Sequence, residues 1–156
     1  MNAKEYLDQI RLLDKRIDRK IEEKEYLRNL ATGAGSLGLN PDKVQSSVNL
    51  HKTEDAITKY IDLEAEIDKM IDSFVDLRDK IINEIHQLND VRYEELLYLK
   101  YVGQLDEKTD RIHYLRLEEI ACVMKKSNGD HYSFDHIAHL HGEALQKFWE
   151  SHSNHK

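Results

Sequence analysis

The residue types that could do chemistry gather in the last third of the chain. Cys122, His131, His136, His139 and His141 lie within about twenty positions, and His152 and His155 follow. His136 and His139 are three apart, so on a helix both could reach one metal ion. No Cys-x-x-Cys or His-x-x-x-His pair accompanies them, and His141 falls on another face of the same helix. The spacing therefore argues against a zinc centre. Ser133, Asp135 and His136 are the residue types of a hydrolytic triad, but neighbours along one helix do not converge on one substrate. A carboxylate-bridged di-iron site would need Glu-x-x-His pairs facing each other, and no such arrangement is present. No catalytic site, metal or cofactor is expected. What remains is binding chemistry. Lys125 and Lys126 precede Ser133, Phe134, His136 and His139 around the start of a helix. Ser133 is an N-cap candidate, and a helix start with free backbone N–H groups suits a phosphate. Histidines there change charge between roughly pH 5 and 8.

Those residues need two short helices to hold them. Leu117, Ile120, Ala121 and Met124 recur at spacings of three and four and make the buried face of a helix over 115–125. Ala121 is small where a second helix would cross closely. Ile137, Leu140, Ala144, Leu145 and Phe148 line one face of a helix over 133–150. The outward positions near its start are Phe134, Asp135, His136, Ala138 and His139. This is a helix-turn-helix pattern, in which the start of the second helix enters the major groove. The connection from Lys125 to Tyr132 is longer than such turns usually are. It is expected to be mobile, with two lysines able to touch a nucleic-acid backbone.

The rest of the chain reads as long helices. Tyr6, Leu7, Ile10, Leu13, Ile17, Ile21, Leu27 and Leu30 predict one over 3–31. Tyr60, Ile67, Phe74, Ile81 and Leu88 repeat every seven residues, with Leu63, Met70 and Leu77 between them, so 54–88 reads as a coiled-coil helix capped by Thr53. Gly33, Gly35, Gly38 and Pro41 interrupt the two, and a mobile linker is expected near 32–52. Asn89 and Asp90 signal a turn and cap before a short helix over 91–101 that Gly103 closes; 104–114 reads as loop. Two amphipathic helices leave apolar surface on their far sides when they pair, which favours a homodimer.

Composition narrows the class. The chain has 156 residues, one proline, one cysteine and a net charge of −7. No apolar run approaches the roughly 18 residues of a membrane span, and the first residues lack an apolar signal-peptide core. A single cysteine suits a reducing compartment, so a cytoplasmic protein with no membrane partner is expected. The acidity is local: residues 53–90 hold eleven Asp or Glu against four Lys or Arg. Residues 91–156 hold eleven against nine, so the proposed reading head is not itself basic.

The whole chain resembles a family of short phage and prophage proteins whose C-terminal domain is similar to region 4 of bacterial sigma factors, related to late-transcription regulators of the ArpU type. The resemblance rests on the opening "MNAKEYLDQIRLLDKRIDRKIEEKEYLRNLA", on "DKVQSS", on "IDLEAEID" at Ile61–Asp68, on "QLNDVRYEELLYLKYV" at Gln87–Val102, and on "LEEIA" and "LHGEALQKF". It implies an all-α fold: a long helical hairpin over 1–90, a sigma-like helix-turn-helix domain over 91–150 and a tail over 151–156. It implies sequence-specific binding of double-stranded DNA in control of phage genes, in a bacterial host; separately, the charge asymmetry alone suggests that the acidic helix over 54–90 contacts a basic surface of bacterial RNA polymerase. Ser133, Phe134, His136, Ile137, His139 and His141 would be the recognition-helix positions. Asp135 and His139 stand where the family is usually basic. The alternative is a coiled-coil adaptor that binds a protein and has a repurposed helix-turn-helix.

Overall fold

The computed structural model describes residues 1–32 and 46–153, with backbone alone at 46–50. It is mostly helical. In order come α1 (Ala3–Ala31), α2 (Ser46–His86), α3 (Val91–Leu97), a π-helical turn (Tyr98–Val102), β1 (Gln104–Asp106), β2 (Arg111–His113), α4 (Leu117–Val123) and α5 (Phe134–Ser153). The chain forms two compact units: Met1–Leu12 with Val75–Lys156, and Leu13–Phe74. The first holds all the short elements; the described helical residues of the second belong to α1 and α2. The C-terminal unit thus begins before residue 90 and recruits the first turns of α1.

In the C-terminal unit, α3 starts where the sequence marks it. Asn89 takes a left-handed conformation (φ 54°), and the Asp90 carboxylate accepts the Arg92 backbone N–H at 3.0 Å. The helix then widens by one residue per turn, and the Gly103 N–H donates to the Tyr98 carbonyl at 2.9 Å. Gly103 has φ +75°, and a Cβ there would lie 2.6 Å from Ile112 Cγ2 and 2.9 Å from the His113 carbonyl. Only glycine lets the chain reverse against the hairpin that follows. That hairpin corrects the expected loop over 104–114: β1 and β2 pair antiparallel, with Leu105 opposite Ile112, around a turn whose Asp110 is left-handed. The strands are three residues each, too short for an alternating pattern to declare itself. The hairpin is tied back where the Leu115 N–H donates to the Leu99 carbonyl at 3.1 Å.

The core of this unit draws on every helix: Leu7 and Ile10 of α1, Ile81 and Ile85 of α2, Leu96 and Leu97 of α3, Ile120 and Met124 around α4, and Ile137, Leu140 and Phe148 of α5 are essentially free of solvent. Tyr6 joins three helices, with its ring 4.7 Å from that of His152 and its hydroxyl donating to Glu84 Oε1 at 3.2 Å. Burial and the Glu84 carboxylate hold the Tyr6 phenol protonated far above its ordinary range.

In the other unit, α1 and α2 run antiparallel, linked by Lys20–Glu66 at 3.5 Å and Lys24–Glu64 at 3.3 Å. Ile17, Ala56, Leu63 and Ile67 are buried between them. The linker expected near 32–52 is shorter than the sequence suggests. Residues 33–45 lie outside the described residues, but 46–52 are already helical, so Thr53 lies inside α2 and not at its start. No glycine or proline falls between Ser46 and Thr53 to stop helix propagation backward. The expected tail is corrected likewise: residues 151–153 continue α5, and 154–156 lie outside the described residues.

Candidate nucleic-acid interface

The helix-turn-helix candidate is formed by α4, the segment 124–133 and α5. Each helix buries the face expected of it: Ile120, Ala121 and Met124 on one side, Ile137, Leu140, Ala144 and Phe148 on the other. Leu117 and Leu145 are only half-buried. The start of α4 is held from one side, where the Arg116 backbone N–H donates to the Glu119 carboxylate at 2.8 Å. That bond, with His113 beside it, holds the Glu119 carboxyl below the usual carboxylate range.

The long connection is not a loose loop. Lys125 and His131 form an antiparallel bridge, the Gly129 N–H donates to the Lys126 carbonyl at 2.9 Å, and the Lys126 N–H donates to the Asp130 carbonyl at 2.8 Å. Gly129 occupies the left-handed position (φ +86°) that this tight turn needs. Asn128 braces it, its side-chain oxygen accepting the Asp130 N–H at 3.1 Å. The extra residues beyond a short helix-turn-helix connection are thus folded into a miniature hairpin that projects Lys125 and Lys126. The Lys126 ammonium sits 5.7 Å from the Tyr132 ring centre, a cation–π contact that limits its wandering.

Ser133 caps α5 as its position predicts. Its hydroxyl oxygen accepts the His136 N–H at 3.2 Å, and its carbonyl takes the first helical bond from Ile137 at 3.0 Å. Lys125, Lys126, Ser133, Phe134, His136 and His139 are all exposed. Tyr132 packs edge-on against His136 with ring centres 4.9 Å apart. Phe134 borders a shallow apolar depression of about 500 Å³ that Ala121, Cys122 and Tyr132 also line. Its size and lining suit the flat face or methyl group of a partner more than a small polar molecule.

Two of the positions that the family resemblance implied do not face outward. Ile137 is fully buried. His141 turns toward the π-helical turn, 2.9 Å from the Tyr101 hydroxyl, and burial pushes its imidazole down to about 4. A helix repeats every 3.6 residues, so Ile137 and His141, four apart, share the inward face with Leu140 and Ala144. His139 is exposed, but its ring lies 3.2 Å from Glu143. When protonated it meets a carboxylate of its own helix before any phosphate. Asp135, in the first turn, adds a negative charge where a phosphate would dock.

Among the described residues no group of three or more His, Cys, Asp or Glu side chains is placed to hold a metal ion. Ser133, Asp135 and His136 point from successive positions of one turn; the Ser133 hydroxyl is engaged in capping and is not held by an imidazole. No helix among them is long and apolar enough to cross a membrane.

Residues that the sequence did not single out also cluster here. Lys100 and Tyr101, on the π-helical turn, meet His141 across forty positions of chain, and Glu84 meets Tyr6 and His152 across more. No local spacing announces such pairs; the hydrophobic positions flanking them were the only signal. No family model matches the chain, and no curated protein or solved structure matches it either.

Proposed function

We propose that this chain is a double-stranded-DNA-binding transcription regulator of phage or prophage type, acting in the cytoplasm of a bacterial host through a helix-turn-helix similar to region 4 of sigma factors. The observation that carries this reading is the sidedness of α4 and α5. Their inner faces are buried, while Lys125, Lys126, Ser133, Phe134, His136 and His139 are exposed around one helix start. Lys125 and Lys126 would contact phosphates, and Phe134, His136 and His139 would approach base edges from the N-terminal turns of α5. The chain binds as a homodimer through the apolar residues that the long-helix unit leaves exposed, and the acidic outer surface of α2 faces bacterial RNA polymerase.

Selection of bound duplexes from a random pool, followed by affinity measurement over a salt series at pH 6 and pH 7.5, tests the reading. One enriched motif is expected, with affinity falling steeply as salt rises. Lys125→Ala/Lys126→Ala should weaken all duplexes alike, whereas His136→Ala should narrow the gap between the motif and other sequences. A folded protein that enriches no motif at either pH excludes it.

A second reading is a coiled-coil adaptor with no DNA contact. It is favoured by the exposed Ile57, Ile61 and Ile71 on α2 and by Asp135 and Glu143 beside the basic residues. Under it, capture of a protein by residues 13–74 would survive every substitution in α5.

A further inference from the structure

The geometry points to a binding site for a small dianionic phosphate monoester in the C-terminal unit, in a cavity of about 390 Å³ bordered by Lys4, Asp8 and Arg11 of α1, Lys100 and Tyr101 of the π-helical turn, and His141 of α5. The site is separate from the exposed start of α5 and does not depend on the chain binding DNA.

Charge is the first argument. Asp8 is the cavity's one carboxylate and is committed to Arg11, 2.9 Å away. Among the described residues neither Lys4 nor Lys100 makes an ion pair, and the Lys100 ammonium rests only against the Tyr101 ring at 5.8 Å. A chain with 30 acidic and 23 basic residues therefore leaves two cations uncompensated around one concavity. An occupant carrying two negative charges balances them; a phosphodiester or a chloride balances one. The volume exceeds what an inorganic phosphate fills and lies within the roughly 300–1,000 Å³ range of small-molecule sites, leaving room for an organic part.

The second argument is the state of the lining. Tyr101 is buried, and its hydroxyl is hydrogen-bonded to His141 Nε2 at 2.9 Å, so the wall is preorganised. Burial holds the tyrosine protonated, with Asp8 adding to the effect and Arg11 opposing it. The Lys100 ammonium is pushed below its ordinary value by burial, then by Arg11 and Lys4, against Asp8 and Glu118. His141 is pushed down to about 4 by burial, then by Lys100 and Lys4. Lys100 and His141 are destabilised in their charged forms by burial first and by neighbouring cations second, and a bound dianion relieves the second contribution; Tyr101 stays neutral and offers its hydroxyl. Binding therefore raises the titration midpoint of His141 and is accompanied by proton uptake on the acid side of neutrality.

The test uses the full chain, with inorganic phosphate as the probe and chloride at matched ionic strength as the control. Thermal melts should rise saturably with phosphate and not with chloride. Lys4→Gln and Lys100→Gln should each weaken the phosphate response about tenfold, the loss of one charged hydrogen bond. The His141 ring signals followed by NMR should titrate near 4 without an oxyanion and at higher pH with saturating sulfate, which stays dianionic in that range where phosphate does not. Equal responses to phosphate and chloride in melts at neutral pH, an unchanged response in Lys4→Gln, or a fixed His141 midpoint at saturating sulfate would each overturn the proposal. Lys4 is exposed at the start of α1, so its variant remains decisive if Lys100→Gln does not melt cooperatively. Displacement of the phosphate by an equivalent of short duplex DNA would assign the cavity to a nucleic-acid backbone and overturn it as well.

Discussion

The two units of this chain are built from the same kind of amphipathic helix and reach different ends. Among the described residues, every large side chain that is essentially free of solvent, from Leu7 to Phe148, belongs to the C-terminal unit. In the long-helix unit the best-buried described residues, Ala56, Ile67 and Leu63, keep 5%, 5% and 6% of their surface, while Ile57, Ile61, Tyr26 and Leu30 keep 40% or more. The difference follows from geometry. Two helices bury one stripe each, whereas α3, α4, α5, the ends of α1 and α2 and a hairpin can enclose a residue from all sides. The C-terminal unit needs special backbone positions to turn so often, at Asn89, Gly103, Asp110 and Gly129. The other unit has none among its described residues, and leaves Ile57, Ile61, Tyr26 and Leu30 exposed.

The largest effect that sharpens this contrast comes from one of those turns. Gly103→Ala should destabilise the C-terminal unit by about 3 kcal/mol, because the methyl group meets Ile112 and the His113 carbonyl at less than contact distance and φ is positive. The matched control, Gly142→Ala in α5, has open space around its Cβ and should stabilise by about 0.8 kcal/mol through helix propensity. Urea denaturation monitored by Trp149 fluorescence reports both. If the two substitutions behaved alike, the hairpin would not be anchored as described.

Next in size is the effect on the homodimer proposed for the long-helix unit. Ile57→Asp/Ile61→Asp places two charges on a row that is already exposed at 45% and 59%, so the isolated chain loses little stability. A homodimer that buries this row should dissociate about 100-fold more readily, since four isoleucines, two from each copy, are already about half covered and each contributes roughly 0.75 kcal/mol on full burial. Sedimentation across a concentration series measures it. An unchanged association would move the interface elsewhere and break the link between exposure and assembly.

How much of this was legible beforehand depends on range along the chain. The bounds of α1, the Asp90 cap, the Ser133 cap and the inward row Ile137, Leu140, Ala144 and Phe148 are set by neighbours three or four positions apart, and periodicity finds them. The hairpin at 104–113 was missed because three-residue strands carry no period; Leu105 and Ile112 on either side of an Asp-rich turn were the only hint. The early start of α2 was missed because a threonine is as permissible inside a helix as at its cap. His141 was assigned outward by family resemblance, although its spacing from Ile137 already put it on the inner face. Its partner Tyr101 lies forty positions away, and no rule of local spacing connects the two.

The smallest effect tests the part of the candidate interface that sequence and structure share. Ser133→Ala removes the oxygen that accepts the His136 N–H at 3.2 Å, and the loss of such a cap costs about 1 kcal/mol. α5 runs for twenty residues and is anchored by Ile137, Leu140, Ala144 and Phe148, so its first turn should fray while the rest of the helix stays in place. Amide exchange should accelerate at His136 and Ile137, whose N–H groups bond to Ser133, and remain slow beyond Leu140. If the start of α5 reads DNA, the same fraying disorders Phe134 and His136 before they meet the bases, and the penalty in affinity for a selected duplex should exceed the penalty in stability. Ser133→Asp separates the two effects. It restores a capping acceptor but adds a charge beside Asp135, so it should recover the slow exchange and fail to recover DNA affinity. Recovery of both would mean that the N-cap serves only the fold, and that the face beside Lys125 and Lys126 contacts something other than phosphate.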